Sequence, residues 1–309
     1  MMENPILQHI PVLFQEVKEI YENKGRKTVI DATLGLGWHA RMLIEWMEAW
    51  GTFIGFERDE ENIILAKKNL SEVGKEKNIH LVRESFAMID DVLEGLKVGW
   101  VDFILYDLGV SSAHYDDGER GFSIRHNAPL DMRFDRTSWK SVQHMIEHQS
   151  PRELMHIFQQ YGEEKKAYFI AEAIVKARAT KKIETTQELL EIISASSFDK
   201  KSPIRVFQAL RIAINDEFGH IKKSLDSVSK KMNIGWQIAV ITFHSLEDRL
   251  VKNIFSEYCS SPIDEITGRE LEPPKFKKVT KKPIEPTEEE LARNPRSRSA
   301  KLRIIEKIH

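Results

Sequence analysis

Asp31-Ala-Thr-Leu-Gly-Leu-Gly-Trp-His-Ala40 is the stretch that decides the fold. Residues 27–32 read as a short buried strand, and 38–48 as a helix. Between them Gly35 and Gly37 allow a tight turn and let a ligand approach the backbone closely. Outward from this turn the alternation continues. Residues 52–57 read as a second strand, 60–70 as a helix, 80–83 as a third strand and 101–106 as a fourth. Strands and helices alternating at these lengths predict right-handed βαβ units and a mostly parallel sheet covered on both faces.

The alternation stops after Ser111, and no convincing strand follows until about Asn233. Helix starts are marked instead. Ser150-Pro-Arg-Glu153 has the form of a capping box with proline at the first helical position, and Thr185-Thr-Gln-Glu188 repeats the box. Within 204–223, Phe207, Leu210, Ile214 and Phe218 share one helical face. A buried strand returns at 235–243, a helix starts at Leu246, and 302–305 is a last strand. The economical arrangement is an α/β fold over 1–110 and 234–309, with an all-helical domain over 111–233 inserted after the fourth strand. The segment 262–299, rich in proline and charge, is expected to run over the surface without packing a core.

The chain has 309 residues, 41% hydrophobic and 30% charged, which places it among globular proteins. A net charge of −2 leaves any nucleic-acid contact to a local basic surface. Cys259 is the single cysteine, so no intrachain disulfide can form and a reducing compartment is expected. The start, Met1-Met-Glu-Asn-Pro-Ile6, lacks the regions of a signal peptide, and no apolar run approaches the roughly 20 residues that span a bilayer. The expected location is the cytoplasm, with no membrane partner.

Glu57 follows Gly37 at about the 20-residue spacing at which an acidic side chain receives ribose hydroxyls in dinucleotide folds. Two cofactor classes fit, because Ala40 can stand for the third glycine of a nicotinamide fingerprint. Asp31 and Asp107 end the first and fourth strands, at the crevice where open α/β sheets bind ligands. Carboxylates converging there favour a cationic sulfonium, S-adenosylmethionine, and would be costly beside a pyrophosphate. A nicotinamide-dependent oxidoreductase remains the alternative on these residues alone.

The motifs beyond the turn carry a specific resemblance. They are His9-Ile-Pro-Val-Leu13, Tyr106-Asp-Leu-Gly-Val-Ser-Ser112, Glu119-Arg-Gly-Phe-Ser123, Pro129-Leu-Asp-Met-Arg133 and Tyr161-Gly-Glu-Glu164. Phe207-Gln-Ala-Leu-Arg211, Phe243-His-Ser-Leu-Glu-Asp-Arg249 and Asn294-Pro-Arg-Ser-Arg-Ser-Ala-Lys-Leu-Arg303 continue them in order. The chain resembles, over nearly its whole length, the small-subunit ribosomal RNA methyltransferase H (MraW-like) family. That resemblance implies a Rossmann-like class I methyltransferase fold and N4-methylation of a cytidine in the decoding region of 16S rRNA, on an assembled small subunit. It implies cofactor contacts at Gly37, Trp38, His39, Glu57, Phe86, Asp107 and His114; no metal ligands are assigned, and the residues do not set whether a metal assists. Three positions depart from the family's usual pattern. Trp38 stands where glycine is usual, Glu57 replaces aspartate and His114 replaces glutamine. The Trp38 ring is the departure able to reshape the methionine pocket.

Cytosine N4 is a weak nucleophile because its lone pair is delocalised, so methylation needs acceptors for the amine protons and in-line placement. Asp107 is the candidate acceptor, with a purely cofactor-binding role as the alternative. A C5 mechanism would need a thiolate, and Cys259 lies in an unsuitable Tyr-Cys-Ser-Ser context. In 111–135, Phe122 and Phe134 suit stacking on an extruded base, and Arg120, Arg125 and Arg133 suit phosphates; packing between domains explains the aromatics as well. His244 and Ser245 look like a hydrolase dyad, but Ser245 as a helix cap with Asp248 closing the box is simpler. His144 and His148 share a helix face without an evident third metal ligand. Lys165, Lys166, Lys176, Arg178, Lys181 and Lys182, with the basic 262–299 segment, suit either an RNA-facing stripe or solvated helix faces. A ribosome-binding factor with a degenerate cofactor pocket is the third reading. Oligomeric state, homodimer included, is not set by these residues.

Overall fold

Phe14–Tyr21 (α1) precedes Thr28–Asp31 (β1), and three of the four β1 side chains are buried, as in a strand covered on both faces. The computed structural model describes residues 11–22, 25–264 and 266–309, so His9 and Ile10 of the first motif lie outside the described residues. Trp38–Trp46 (α2) leads to Thr52–Phe56 (β2), Glu60–Leu70 (α3) to Asn78–Val82 (β3), and Ile89–Gly95 (α4) to Val101–Asp107 (β4). Met232–Thr242 (β5), Phe276–Lys278 (β6) and Lys301–Lys307 (β7) complete a seven-stranded sheet in the order β3-β2-β1-β4-β5-β7-β6. β1 to β5 are mutually parallel, and β7 runs antiparallel to β5 and β6. This is the mostly parallel α/β sheet expected from the alternation.

Register on the central strands sets Val29 against Phe53 and Phe103, and all three enter the sheet's apolar core. Asp102, buried at the start of β4, accepts hydrogen bonds from Lys27 N and Thr28 N at 2.8 and 2.9 Å and from Asn233 Nδ2 at 2.7 Å. One carboxylate thus joins the beginnings of β1, β4 and β5. Beside it the register jumps from Val101↔Met232 to Phe103↔Gln237, and Gly235 supplies the left-handed φ of 86° that this irregularity requires.

The chain divides into two compact units, Met1–Gly109 with His220–His309, and Val110–Gly219. The second contains Ser112–Asp116 (α5), Val142–His148 (α6), Pro151–Gly162 (α7), Ala167–Thr180 (α8), Thr186–Ser196 (α9) and Ser202–Asn215 (α10). It has a separate core built from Leu154, Phe158, Ile170, Leu189 and Leu210 among others. Both capping boxes form, at Ser150/Glu153 and Thr185/Glu188. The helix expected over 204–223 is instead two helices. Asp216 takes a left-handed φ of 48°, ending α10, and Glu217–Lys231 (α11) begins afresh with Phe218 on it. The unit boundary falls at 219/220, where the sequence placed a join at 233/234. Ser224 of α11 explains this, because its hydroxyl meets the buried Tyr106 hydroxyl of β4 at 2.7 Å.

After β5 comes Ser245–Tyr258 (α12). The 262–299 segment departs from its expectation as a coreless connector. It contains β6, whose Phe276 is buried with its ring centroid 5.7 Å from that of Tyr258, and Glu288–Arg293 (α13). Lysines on either side of a single aromatic masked that strand. No helix among the described residues is long and apolar enough to cross a membrane.

Candidate active site

β1 and β4 are neighbours whose onward connections leave in opposite directions across the sheet, toward β2 and toward β5. Their carboxyl ends therefore flank the switch-point crevice, the usual ligand site of such sheets. Asp31 ends β1 and Asp107 ends β4, and Thr33 ties the two ends together by accepting the Asp107 N–H at 2.6 Å. Asp31 is buried, and its carboxyl takes the Thr33 N–H at 3.1 Å. Burial outweighs that bond and pushes the Asp31 pKa up to about 7.

Asp107 is perturbed in the same direction. Burial raises its pKa well above the carboxylate range, and the nearby charges of Asp31 and Glu247 raise it further. Its Oδ1 is shielded from solvent and has no hydrogen-bond partner, while Oδ2 lies 3.6 Å from His39 Nδ1. A carboxylate in this state suits a cation or a proton donor.

The glycine turn is built as its residues require. Gly35 and Gly37 have left-handed φ of 51° and 85°, and a Cβ on Gly37 would press the Leu70 side chain at 3.3 Å. Helix α2 starts at Trp38. The Trp38 indole N–H is buried and has no acceptor. His39 is buried, and its Nε2 lies 3.1 Å from Val12 O.

Glu57 follows β2, and one carboxylate oxygen accepts the Asp59 N–H at 2.8 Å. Its pKa rises to about 7, with burial the main cause. Phe86 opens a single 3₁₀ turn, Phe86–Met88, and packs edge-on against Tyr106 at 5.6 Å. Its other edge contact is His220, whose Nδ1 lies 3.1 Å from Ser85 Oγ. Six of the seven expected cofactor residues therefore belong to the sheet unit. His114 belongs to the helical unit, where it is buried with its ring centroid 5.0 Å from that of Phe122 and 5.4 Å from that of Phe134.

That trio bears on the stacking expectation. Phe122 and Phe134 stack on each other at 5.5 Å in the helical unit, Phe122 within its core and Phe134 packed against it, so each ring covers one face of the other. Arg120 is buried and donates to Arg133 O at 2.9 Å. Arg133 forms a two-point pair with Asp131. Only Arg125 of the three is exposed.

Glu247 was not among the expected site residues, and it belongs to the carboxylate group. It is fully buried, accepts the Phe243 N–H at 2.9 Å and lies 3.0 Å from His244 Nε2. His244 itself caps α12, because its Nδ1 accepts the Glu247 N–H at 3.3 Å. Ser245 is thus not the cap. Asp248 does not close a box either; it pairs with Arg303 at 2.7 and 2.9 Å. The signal for Glu247 was its i,i+3 spacing from His244, which reads equally well as ordinary helix-start chemistry.

The donor set fits S-adenosylmethionine. Asp31 and Asp107 offer carboxyls to positive charge, Glu57 can accept ribose hydroxyls, and the Trp38 N–H and Gly37 turn lie at a helix start suited to a carboxylate. Fold and site together define a Rossmann-like methyltransferase with this cofactor. The chain belongs to the MraW methylase family, which it matches over residues 6–308. It is 42% identical to the ribosomal RNA small subunit methyltransferase H of Caldicellulosiruptor saccharolyticus, over 97% of this chain and 99% of that one. It is 41% identical to the protein of the same name from Halothermothrix orenii, over 98% and 99%. A third, from Clostridioides difficile, is 41% identical over 97% and 99%. The resemblance carried by the motifs is borne out.

Proposed function

We propose that this methyltransferase acts on ribosomal RNA of the small subunit, at the N4 amine of a cytidine in the decoding region of 16S rRNA, in the cytoplasm. The relatives' names supply the RNA and the subunit, and the family resemblance supplies the base and position. The chemistry rests on one observation, the solvent-shielded and unpartnered Oδ1 of Asp107 at the switch point.

S-adenosylmethionine, when bound, supplies an electrophilic methyl group on a sulfonium centre. Asp31 would pair its carboxylate with the methionine ammonium, and Glu57 would accept hydrogen bonds from the ribose hydroxyls. Gly37, Trp38 and His39 would hold the methionine end, with the Trp38 N–H available to donate to the methionine carboxylate at a position where the family usually has glycine. Phe86 would pack against the adenine, and His114 is assigned to the cofactor by the family resemblance alone. Asp107 accepts an N4 proton as the amine attacks, through the shielded Oδ1 that has no partner within the protein.

Labelled methyl transfer to small subunits lacking the modification, followed by nucleoside mass spectrometry, tests this. N4-methylcytidine is the expected product, whereas label on C5 or ribose overturns the assignment. Subunit binding without any transfer would favour the degenerate-pocket reading.

A further inference from the structure

Arg205 of α10 links two separate segments of the helical unit. Its Nε donates to Glu164 Oε2 at 2.8 Å, and its Nη2 to Asp199 Oδ2 at 2.7 Å. Glu164 Oε1 in turn accepts the Lys166 N–H at the entry to α8, and Asp199 Oδ1 accepts the Lys201 N–H before α10. Gly162 lets these segments approach, since a Cβ there would meet Arg205 O at 2.6 Å. The start of α8 and the loop before α10 are thus held side by side.

Both segments carry large rings in solvent. Tyr168 and Phe169 are 56% and 58% exposed and set edge to face at 5.5 Å, and Phe198 is fully exposed. Three aromatics in water on one short stretch of surface are costly to a monomeric protein unless something covers them. Lys165, Lys166, Lys200 and Lys201 are exposed around them, and the Lys166 ammonium sits 5.5 Å over the Phe169 ring. Two of the neighbouring carboxylates, Glu164 and Asp199, are already engaged by Arg205, and Glu163 stands beside them. The local balance is positive on a chain whose total charge is −2.

We propose that this aromatic and lysine cluster is a second RNA contact, which grips an unpaired stretch of the substrate RNA. Rings offer sequence-tolerant stacking to bases, and the lysines meet the phosphates between them. An apolar protein partner would not need four lysines, and a duplex would not use exposed rings. The proposal rests on the ribosomal RNA reading for its substrate, but its binding step can be measured without methyl transfer.

The test uses the full-length protein and a fluorescently labelled 12-nucleotide oligouridylate, followed by anisotropy across a salt series. Phe169→Ala combined with Phe198→Ala is expected to weaken binding by roughly tenfold or more, and Phe169→Tyr combined with Phe198→Tyr to restore it. Changing the four lysines to Gln should lower the slope of log affinity against log salt by roughly 3. With small subunits as substrate, the double alanine variant should raise KM and leave kcat and S-adenosylmethionine affinity unchanged. Unaltered oligouridylate binding in the alanine variant overturns the proposal, and so does a variant whose only change is from dimer to monomer in sedimentation. If subunits are not methylated by the wild type but the oligouridylate results hold, the ribosomal assignment fails and the RNA contact stands.

Discussion

Asp31 and Glu57 hold protons in the free protein that they release in the unfolded chain. Their folded values near 7 exceed the unfolded values of about 4. The stability they contribute is therefore fully present below about pH 4 and lost as pH rises toward 7. A bound sulfonium and ammonium reverse the preference by favouring the charged carboxylates. Proton release is the expected consequence when S-adenosylmethionine binds near pH 6.5. Calorimetry in buffers of different ionisation enthalpy measures it directly, and Asp31→Asn should reduce it. Proton uptake would contradict the placement of these groups at the cofactor. Trp38 gives a second residue-scale expectation. Trp38→Phe keeps an aromatic ring and removes the unpaired N–H, so cofactor affinity should fall by about tenfold, equivalent to one lost bond to a charged group. Unchanged affinity by titration calorimetry would mean that the indole N–H does not meet the ligand.

At the scale of elements, Asp102 makes three hydrogen bonds across β1, β4 and β5 from a buried position. Asp102→Ala strands two backbone N–H groups and an amide, and an unfolding free energy lower by about 2–4 kcal/mol is expected in urea titrations. This tie was not legible in the sequence, because a lone aspartate before an apolar strand looks like any surface residue. Periodic signals were legible. The strands from 27 to 106, the glycine turn and both capping boxes are local patterns, and each formed. What failed depended on tertiary contacts. Nothing in the pattern from Phe207 to Phe218 announces that Asp216 will turn left-handed. Phe276 lacks the alternating apolar partners that would mark β6, and it gains its burial from Tyr258 and the pairing with β7. In the candidate site, the placing of Asp31, Glu57 and Asp107 at strand ends was legible because strand ends at a switch point can be counted along the chain. The placing of Glu247 near Asp107 was not, because it depends on how α12 packs. Phe122 and Phe134 looked free for a base because sequence does not reveal that they face each other.

For the whole molecule, the overall charge of −2 opposes RNA binding and a local surface must supply it. Raising salt from 50 to 200 mM should therefore raise KM for small subunits steeply, with a far smaller effect on cofactor affinity. Steady-state methyl transfer at a series of KCl concentrations measures both. A flat response would remove phosphate contacts from the account. The insertion of Val110–Gly219 between two hydrogen-bonded strands also matters while the protein is being made. Synthesis delivers β4, apolar on both faces, long before its neighbour β5 exists, because the helical unit and α11 must emerge first. During that interval β4 presents an open strand edge to every nascent chain nearby, the condition under which strands pair wrongly. The helical unit has a core of its own and can settle within the delay, so the sheet closes last.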